Sequence, residues 1–245
     1  MDKAIHIDNN YSLSLNESSN ITLFIDDDAN INYELSNGVY NLLVFNNSSK
    51  DISLNEEGNI KNAEVNITYL DVNDTCFSQT NKFNVYTNSS LSINSIYLGI
   101  NTKSIAYDLF NRESNSNVTI NNSVVCLNDA IFELNVIGNI IKGAKNSKCL
   151  QTNKCLTFEV PKKAKVLPVL NIDENDIEAK HSLSSGTIDE EVLFYMNSRG
   201  LTKKESLHLL LTSYLMPNDD LYSKFIEGSL IQEKAIKKVN ETCSM

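Results

Sequence analysis

Apolar and polar residues alternate along most of this chain, and the alternation comes in short runs. Ile5/Ile7, Tyr11/Leu13/Leu15, Ile21/Leu23/Ile25, Ile31/Tyr33/Leu35 and Leu42/Val44 are the first of them. A period of two puts each set on one face of a β-strand, because successive side chains point to opposite sides. The runs recur about every ten residues with Asn, Asp and Ser clusters between them, which is the spacing of short strands joined by regular turns. Runs of the same kind follow at Val65–Tyr69, Phe83–Tyr86, Leu91–Leu98, Val118–Ile120, Phe132–Val136 and Leu156–Val160. Before residue 180 no long period of 3.6 appears. The chain up to that point is all β.

Two architectures satisfy this pattern. A sandwich or barrel uses alternation with one polar face, whereas a parallel β-helix stacks each strand on its equivalent one coil away around a narrow apolar core. Asparagine suits β-helix turns because it tolerates the left-handed backbone region and its amides stack in ladders. That matters in a chain with only eight glycines. The periodicity alone does not choose between the two.

A net charge of −10 argues against nucleic acid or an anionic membrane as the main partner. Asp8 ends the first apolar stretch too early for an export signal, and no run reaches the ~18 apolar residues of a membrane span, so a cytoplasmic location is expected. The asparagine excess creates glycosylation sequons at Asn16, Asn20, Asn66, Asn73, Asn88 and Asn117, which carry meaning only in a secreted chain. Cys76, Cys126, Cys149, Cys155 and Cys243 have no Cys-x-x-Cys spacing and read as reduced, mostly buried thiols. His6, His181 and His208 form no ligand pair, and no nucleophile elbow or phosphate loop is present. Asp26-Asp27-Asp28 lacks the alternating ligands of a calcium loop and reads as a solvated turn. No catalysis is expected.

After His181 the pattern becomes helical. Thr187 with Glu190, and Thr202 with Glu205, read as capping boxes at the starts of two helices. Gly200 supplies a left-handed residue after the first helix, and Pro217 stops the second. Asn218-Asp219-Asp220 then caps a third stretch, with Leu221, Phe225, Leu230, Ile231 and Ile236 as its apolar stripe. The first helix is expected to bury Val192, Leu193, Tyr195 and Met196. With the Leu-rich second helix it serves as a cap on the open end of a β-helix, as a docking face, or as both. Asp189-Glu190-Glu191 is favourable charge at a helix N-terminus. His181 is read at the end of a short strand, where a Ser-Gly-rich connection begins.

The stretch Asp189-Glu190-Glu191-Val192-Leu193-Phe194-Tyr195-Met196-Asn197-Ser198-Arg199-Gly200-Leu201, preceded by His181 and followed by a Leu-rich helix, resembles the C-terminal region of the SufB/SufD family. The resemblance is specific from about Ala164 to Met216 and architectural before that. It implies a right-handed parallel β-helix over residues 1–180 and a small α-helical domain over 181–245. It also implies a non-catalytic subunit of the SUF iron–sulfur assembly complex. The partners implied are a SufB-like subunit or a second copy, a SufC-like ABC ATPase and, indirectly, a cysteine desulfurase system. His181 would stand at the assembly interface as a possible iron ligand of a transient cluster, with none held stably by this chain alone. Phe194, Tyr195, Arg199, Gly200, Leu209 and Leu210 would meet the ATPase. SufB-like members read Glu-His-Glu where this chain has Lys180-His181-Ser182, and carry a cysteine at the position of Lys163, five residues before Pro168. The likeness is therefore SufD-like, although Ser182 replaces the usual glycine. The reading from another class is a carbohydrate-active β-helix enzyme or surface adhesin, which needs an export signal and a carboxylate or basic cluster.

Overall fold

The computed structural model describes residues 2–127, 130–157, 163–215 and 222–242. Within them all fifteen strands pair in parallel, in two sheets. The odd strands are β1 (Asp2–Ile7), β3 (Ser19–Ile25), β5 (Val39–Asn46), β7 (Glu64–Asp71), β9 (Ser90–Gly99), β11 (Asn117–Cys126), β13 (Ser147–Thr157) and β15 (Ile177–Thr187). They make one sheet in that order. The even strands are β2 (Tyr11–Leu15), β4 (Ala29–Ser36), β6 (Ile52–Lys61), β8 (Phe77–Val85), β10 (Thr102–Asn111), β12 (Ile131–Ile140) and β14 (Lys163–Ile172), and they make the other. Each strand pairs with the one two places on, never with its neighbour in sequence, so the chain winds as a parallel β-helix with two strands per coil. One coil takes 21 residues near the start (Ile21↔Leu42) and 31 near the end (Ile120↔Gln151).

Asparagine does here what glycine does in other turns. Asn37, Asn62, Asn88, Asn115 and Asn146 all have φ between 50° and 56°, one at the same corner of each successive coil. Side-chain amides bridge the coils: Asn62 Nδ2 donates to Asn37 Oδ1 at 2.9 Å, and Asn146 Nδ2 to Asn115 Oδ1 at 2.6 Å. On the outer faces Asn55–Asn30–Asn10 and Asn66–Asn41–Asn20 form further ladders. Asn20 and Asn66, two of the sequon residues, are thus structural. The acidic turn likewise serves the stack: Asp27 pairs with Lys50 at 2.6 Å, and Asp28 accepts from the Ser53 backbone at 2.7 Å.

The runs from Ile21 to Val44 point inward, as alternation requires. The strands β6 and β10 are among those that escape the apolar reading, and each has a charged residue in its inner row. Glu56 of β6 is 1 % exposed, and the Tyr33 hydroxyl donates to its carboxylate at 2.5 Å. Gln79 bonds the other carboxylate oxygen, and Tyr97 and Tyr107 continue the network. In the same strand Gly58 makes room for Phe83, whose ring would stand 2.5 Å from a Cβ. Lys103 of β10 is fully buried, and donates to Asp71 at 2.7 Å and to the Asn73 carbonyl at 2.9 Å.

Burial pushes the Glu56 carboxyl from its ordinary 4.5 up to about 7, against the hydrogen bonds that lower it. The folded state therefore holds a proton there that the unfolded chain gives up. The stability this contributes is full below about pH 4.5 and is lost as pH rises through about 7. Glu56→Gln should remove that dependence. Melting followed from pH 5 to 8 should show the native chain losing about 3 kcal/mol more than the variant. Parallel curves would show that Glu56 does not carry the effect.

Three helices follow or flank the last coil: α1 (Glu190–Ser198), α2 (Lys203–Leu215) and α3 (Gly228–Thr242). α2 and α3 do not close the end of the β-helix as a cap would. They lie along the outer face of the odd-strand sheet, where Leu211, Leu215, Tyr222, Ile231, Ala235 and Val239 pack on Phe24, Leu43, Phe45, Leu70, Ile96, Leu98 and Val125. The odd strands accordingly have consecutive buried residues, as in Leu42-Leu43-Val44-Phe45, with one residue facing the coil interior and the next facing a helix. Thr22 Oγ1 donates to the Ile226 carbonyl at 2.7 Å, and Lys238 pairs with Asp74 at 2.9 Å, pinning the α3 region to the sheet. Of the expected stripe Phe225 and Ile231 are buried, together with Ala235 and Val239, whereas Leu230 and Ile236 are exposed. Met216, Pro217, Asn218-Asp219-Asp220, Leu221 and Cys243 lie outside the described residues, as does the end of the Leu156–Val160 run.

Candidate functional site

The final coil, β14 and β15, has a coil on one side only: within the described residues both sheets end there. An inner row runs Ile67, Ile93, Ile120, Gln151 and His181 in strict register. Register partners in parallel strands point to the same face, so His181 belongs to the interior row. It is exposed because no described residue covers the last coil. This corrects the expected placement at a strand end, since β15 continues through the Ser-Gly stretch to Thr187, past residue 180. An edge row needs no apolar side chains to fill a core, and Ser182, Ser184, Ser185 and Gly186 therefore looked like a loop.

Leu167, Val169, Ile172 and Leu183 are all exposed on this coil. A free β edge is normally protected by charge, short strands or proline. Pro168 sits in β14, where an edge strand tolerates it. Lys163 forms an ion pair with Glu133 of the coil behind, and Lys148 pairs with Glu178 at 2.8 Å. The β1 end carries Asp2, Lys3 and His6 instead, and none of its residues is among the exposed large apolar ones. The two ends are chemically different.

Behind His181 the interior is polar. Asn122 Nδ2 donates to Asn153 Oδ1 at 2.8 Å, and Asn153 Nδ2 to the Ser182 carbonyl at 3.1 Å. Cys126, Cys149 and Cys155 are buried free thiols, and Cys76 is half-buried and free. Burial pushes the Cys149 thiol up to about 12, and the neighbouring Cys155 sulfur together with burial pushes Cys126 up. A thiol held protonated in this way, as Cys149 and Cys126 are, is a poor nucleophile and a poor ligand. Among the described residues no three His, Cys, Asp or Glu side chains are placed to hold a metal ion together.

The second feature is α1. Asp189, not Thr187, is its N-cap, accepting from the Glu191 backbone at 2.8 Å. Gly200 has φ +96° just beyond its end. The helix buries none of its residues, contrary to the expected burial of Val192, Leu193, Tyr195 and Met196. Leu193 and Met196 are half-covered, whereas Val192, Phe194 (75 %) and Tyr195 (58 %) are exposed. The Arg199 guanidinium lies 5.3 Å from the Tyr195 ring centre. α2 starts on the expected capping box, with Thr202 N–H donating to Glu205 at 2.7 Å and Glu205 N–H to Thr202 Oγ1 at 3.2 Å. It turns Leu211 and Leu215 to the sheet, leaving Leu210 half-buried and Leu209 exposed. Leu201, Lys204, His208 and Leu209 line a groove closed on one side by Asn240 of α3. Phe194, Tyr195, Arg199 and Gly200 at α1 and Leu209 of α2 are thus all exposed. Among the described residues no helix is long and apolar enough to cross a membrane.

Comparison with known proteins agrees with the geometry. Residues 5–214 match the SufBD core domain of SUF system FeS cluster assembly. The iron–sulfur cluster assembly protein SufD of Bacillus subtilis is 35 % identical over 83 residues, covering 34 % of this chain and 19 % of that protein. SufBD family proteins of Mycobacterium tuberculosis and Mycobacterium bovis are 28 % identical over 76 residues, 31 % of this chain and 9 % of each of them. Each matched stretch therefore spans less than a fifth of the relative's own length. Because the family match extends over most of the chain, from β1 into α2, this β-helix protein belongs to the SufBD family of SUF system iron–sulfur cluster assembly proteins.

Proposed function

We propose that this chain is a SufD-like, non-catalytic subunit of a SUF assembly complex. It pairs with a SufB-like subunit through the β14–β15 coil and offers α1 and α2 to a SufC-like ATPase. The observation that carries the reading is the open final coil, with His181 and exposed Leu183 on its uncovered inner face and exposed Leu167 and Val169 on the outer face of β14. A partner coil stacking on these edges would satisfy unpaired backbone groups and cover that apolar surface. In such a junction the His181 imidazole is a neutral nitrogen ligand at the site where the nascent cluster, the cargo of the complex, is built. The thiolates come from the partner subunit, because Lys163 stands where SufB-like chains have cysteine. The SufD-like match favours this over a carbohydrate-active enzyme or an adhesin.

Coexpression with a SufB-like and a SufC-like protein should give a copurifying complex. His181→Ala should leave that complex assembled while lowering its cluster yield, because it deletes a ligand and almost no packing. The isolated chain, reconstituted anaerobically, should retain no stoichiometric iron and sulfide, with or without Lys163→Cys. Full cluster yield with His181→Ala would reduce the chain to a structural subunit. A stable cluster on the isolated chain would make it a scaffold in its own right.

A further inference from the structure

Gln151 is the residue directly behind His181 in the inner row, in register with it across β13 and β15. It is 2 % exposed. Its Nε2 crosses the interior and donates to the Val169 carbonyl of β14 at 3.1 Å. That carbonyl can only accept, so the amide has one possible orientation. The other end, Oε1, is buried and has no hydrogen-bond partner. Room for the amide comes from Gly138 of β12, where a Cβ would stand 2.9 Å from Gln151 Nε2 and 2.5 Å from Cys149 Sγ. In the three preceding coils the same row holds isoleucine: Ile67, Ile93 and Ile120. The polar side chain enters this row at the one coil that lies behind His181. A buried acceptor without a donor is unfavourable, and the adjacent side chain in the row is an imidazole with an N–H to give.

We propose that Gln151 is a positioning residue for His181, its Oε1 accepting from one imidazole N–H and so leaving the other ring nitrogen unprotonated and directed out of the open coil. A ring nitrogen fixed by a carbonyl-type acceptor is the usual arrangement behind a metal-binding histidine, because it sets the tautomer and the ring plane. This role rests on the reading of His181 as a cluster-site ligand, but the hydrogen bond does not. The bond exists in the isolated chain or it does not.

The test uses nitrogen NMR of the isolated full chain at a pH where the imidazole is neutral. His181 should populate one tautomer in the native chain and a mixture in Gln151→Met, which matches the shape of glutamine but has no acceptor. An unchanged tautomer in a folded Gln151→Met overturns the proposal. Should that variant not fold, His181→Ala decides: its substituted side chain is exposed, and the Gln151 side-chain amide resonances should move in it if the bond is present. Unmoved resonances overturn the proposal equally. In the reconstituted complex, Gln151→Met should lower cluster yield about tenfold, and adding it to His181→Ala should cost nothing further. If His181→Ala itself is fully active, the cluster-site reading fails while the tautomer result still stands or falls by itself.

Discussion

Phe194→Asp combined with Leu209→Glu should abolish capture of a SufC-like ATPase while leaving the β-helix folded. Phe194 is the most exposed large apolar side chain among the described residues, and Leu209 is 49 % exposed. Neither contributes to the cluster under α2 and α3. Unfolding is therefore not the expected outcome, and circular dichroism and the melting temperature should match the native chain. A residue that anchors an interface can carry about 2 kcal/mol, so introducing charge at two such anchors should weaken binding by about a hundredfold or more. Calorimetry with the purified ATPase reads this directly. Affinity within a few-fold of native would place the ATPase contact elsewhere. Leu211→Glu is the contrasting control, because it buries a charge against the sheet and should unfold the region whether or not an ATPase binds there.

The same region shows which features the sequence could and could not reveal. Local chemistry was legible: the Thr202–Glu205 box, the left-handed Gly200 and the Asn corners are each determined by a few adjacent residues. Which side of α1 is covered is a tertiary matter. Val192, Leu193, Tyr195 and Met196 look like a core stripe, yet none of them is fully buried. Apolar residues at helical spacing do not by themselves say whether their own chain covers them. The side-on packing of α2 and α3 did leave a trace. Leu42-Leu43-Val44-Phe45, Ile96-Tyr97-Leu98 and Val124-Val125-Cys126 break strict alternation by burying consecutive residues, and only strands covered on both faces do that.

His181 and Gln151 illustrate the opposite difficulty. The period-two set Ile177, Ala179, His181 and Leu183 puts His181 on one face with apolar residues, but the Ser-Gly stretch that follows hides that this face is an inner row. Its place follows only from the register with Gln151, thirty residues earlier in the chain (181 − 151). Gln151 itself lies between Leu150 and Thr152, a setting with no functional signature. Long coil lengths make such partners invisible without a fold.

Lys103→Met should be the most damaging single change to stability away from the helices. Lys103 and Asp71 are 0 % and 2 % exposed at their side chains, and the ammonium-to-carboxylate contact is 2.7 Å. Each has further partners: the ammonium also meets the Asn73 carbonyl, and Asp71 Oδ1 accepts from Asn46 and from the Asn73 backbone. A buried pair satisfied this fully contributes little net stability against a well-packed apolar pair, since desolvation offsets the attraction. Removing one partner is another matter, because the other charge is left in the interior. Methionine keeps most of the lysine volume, so packing changes little and the loss should come from the stranded Asp71 carboxylate. Urea unfolding should give a destabilisation of about 3–5 kcal/mol. Asp71→Asn in the Lys103→Met background should then recover a large part of it, because the orphan charge is gone while the bonds from Asn46 and Asn73 still find an acceptor oxygen. A loss below about 1 kcal/mol for Lys103→Met would mean that water or a shifted proton already compensates Asp71. Failure of Asp71→Asn to recover stability would instead trace the loss to the missing Asn73 bond and to packing around β10.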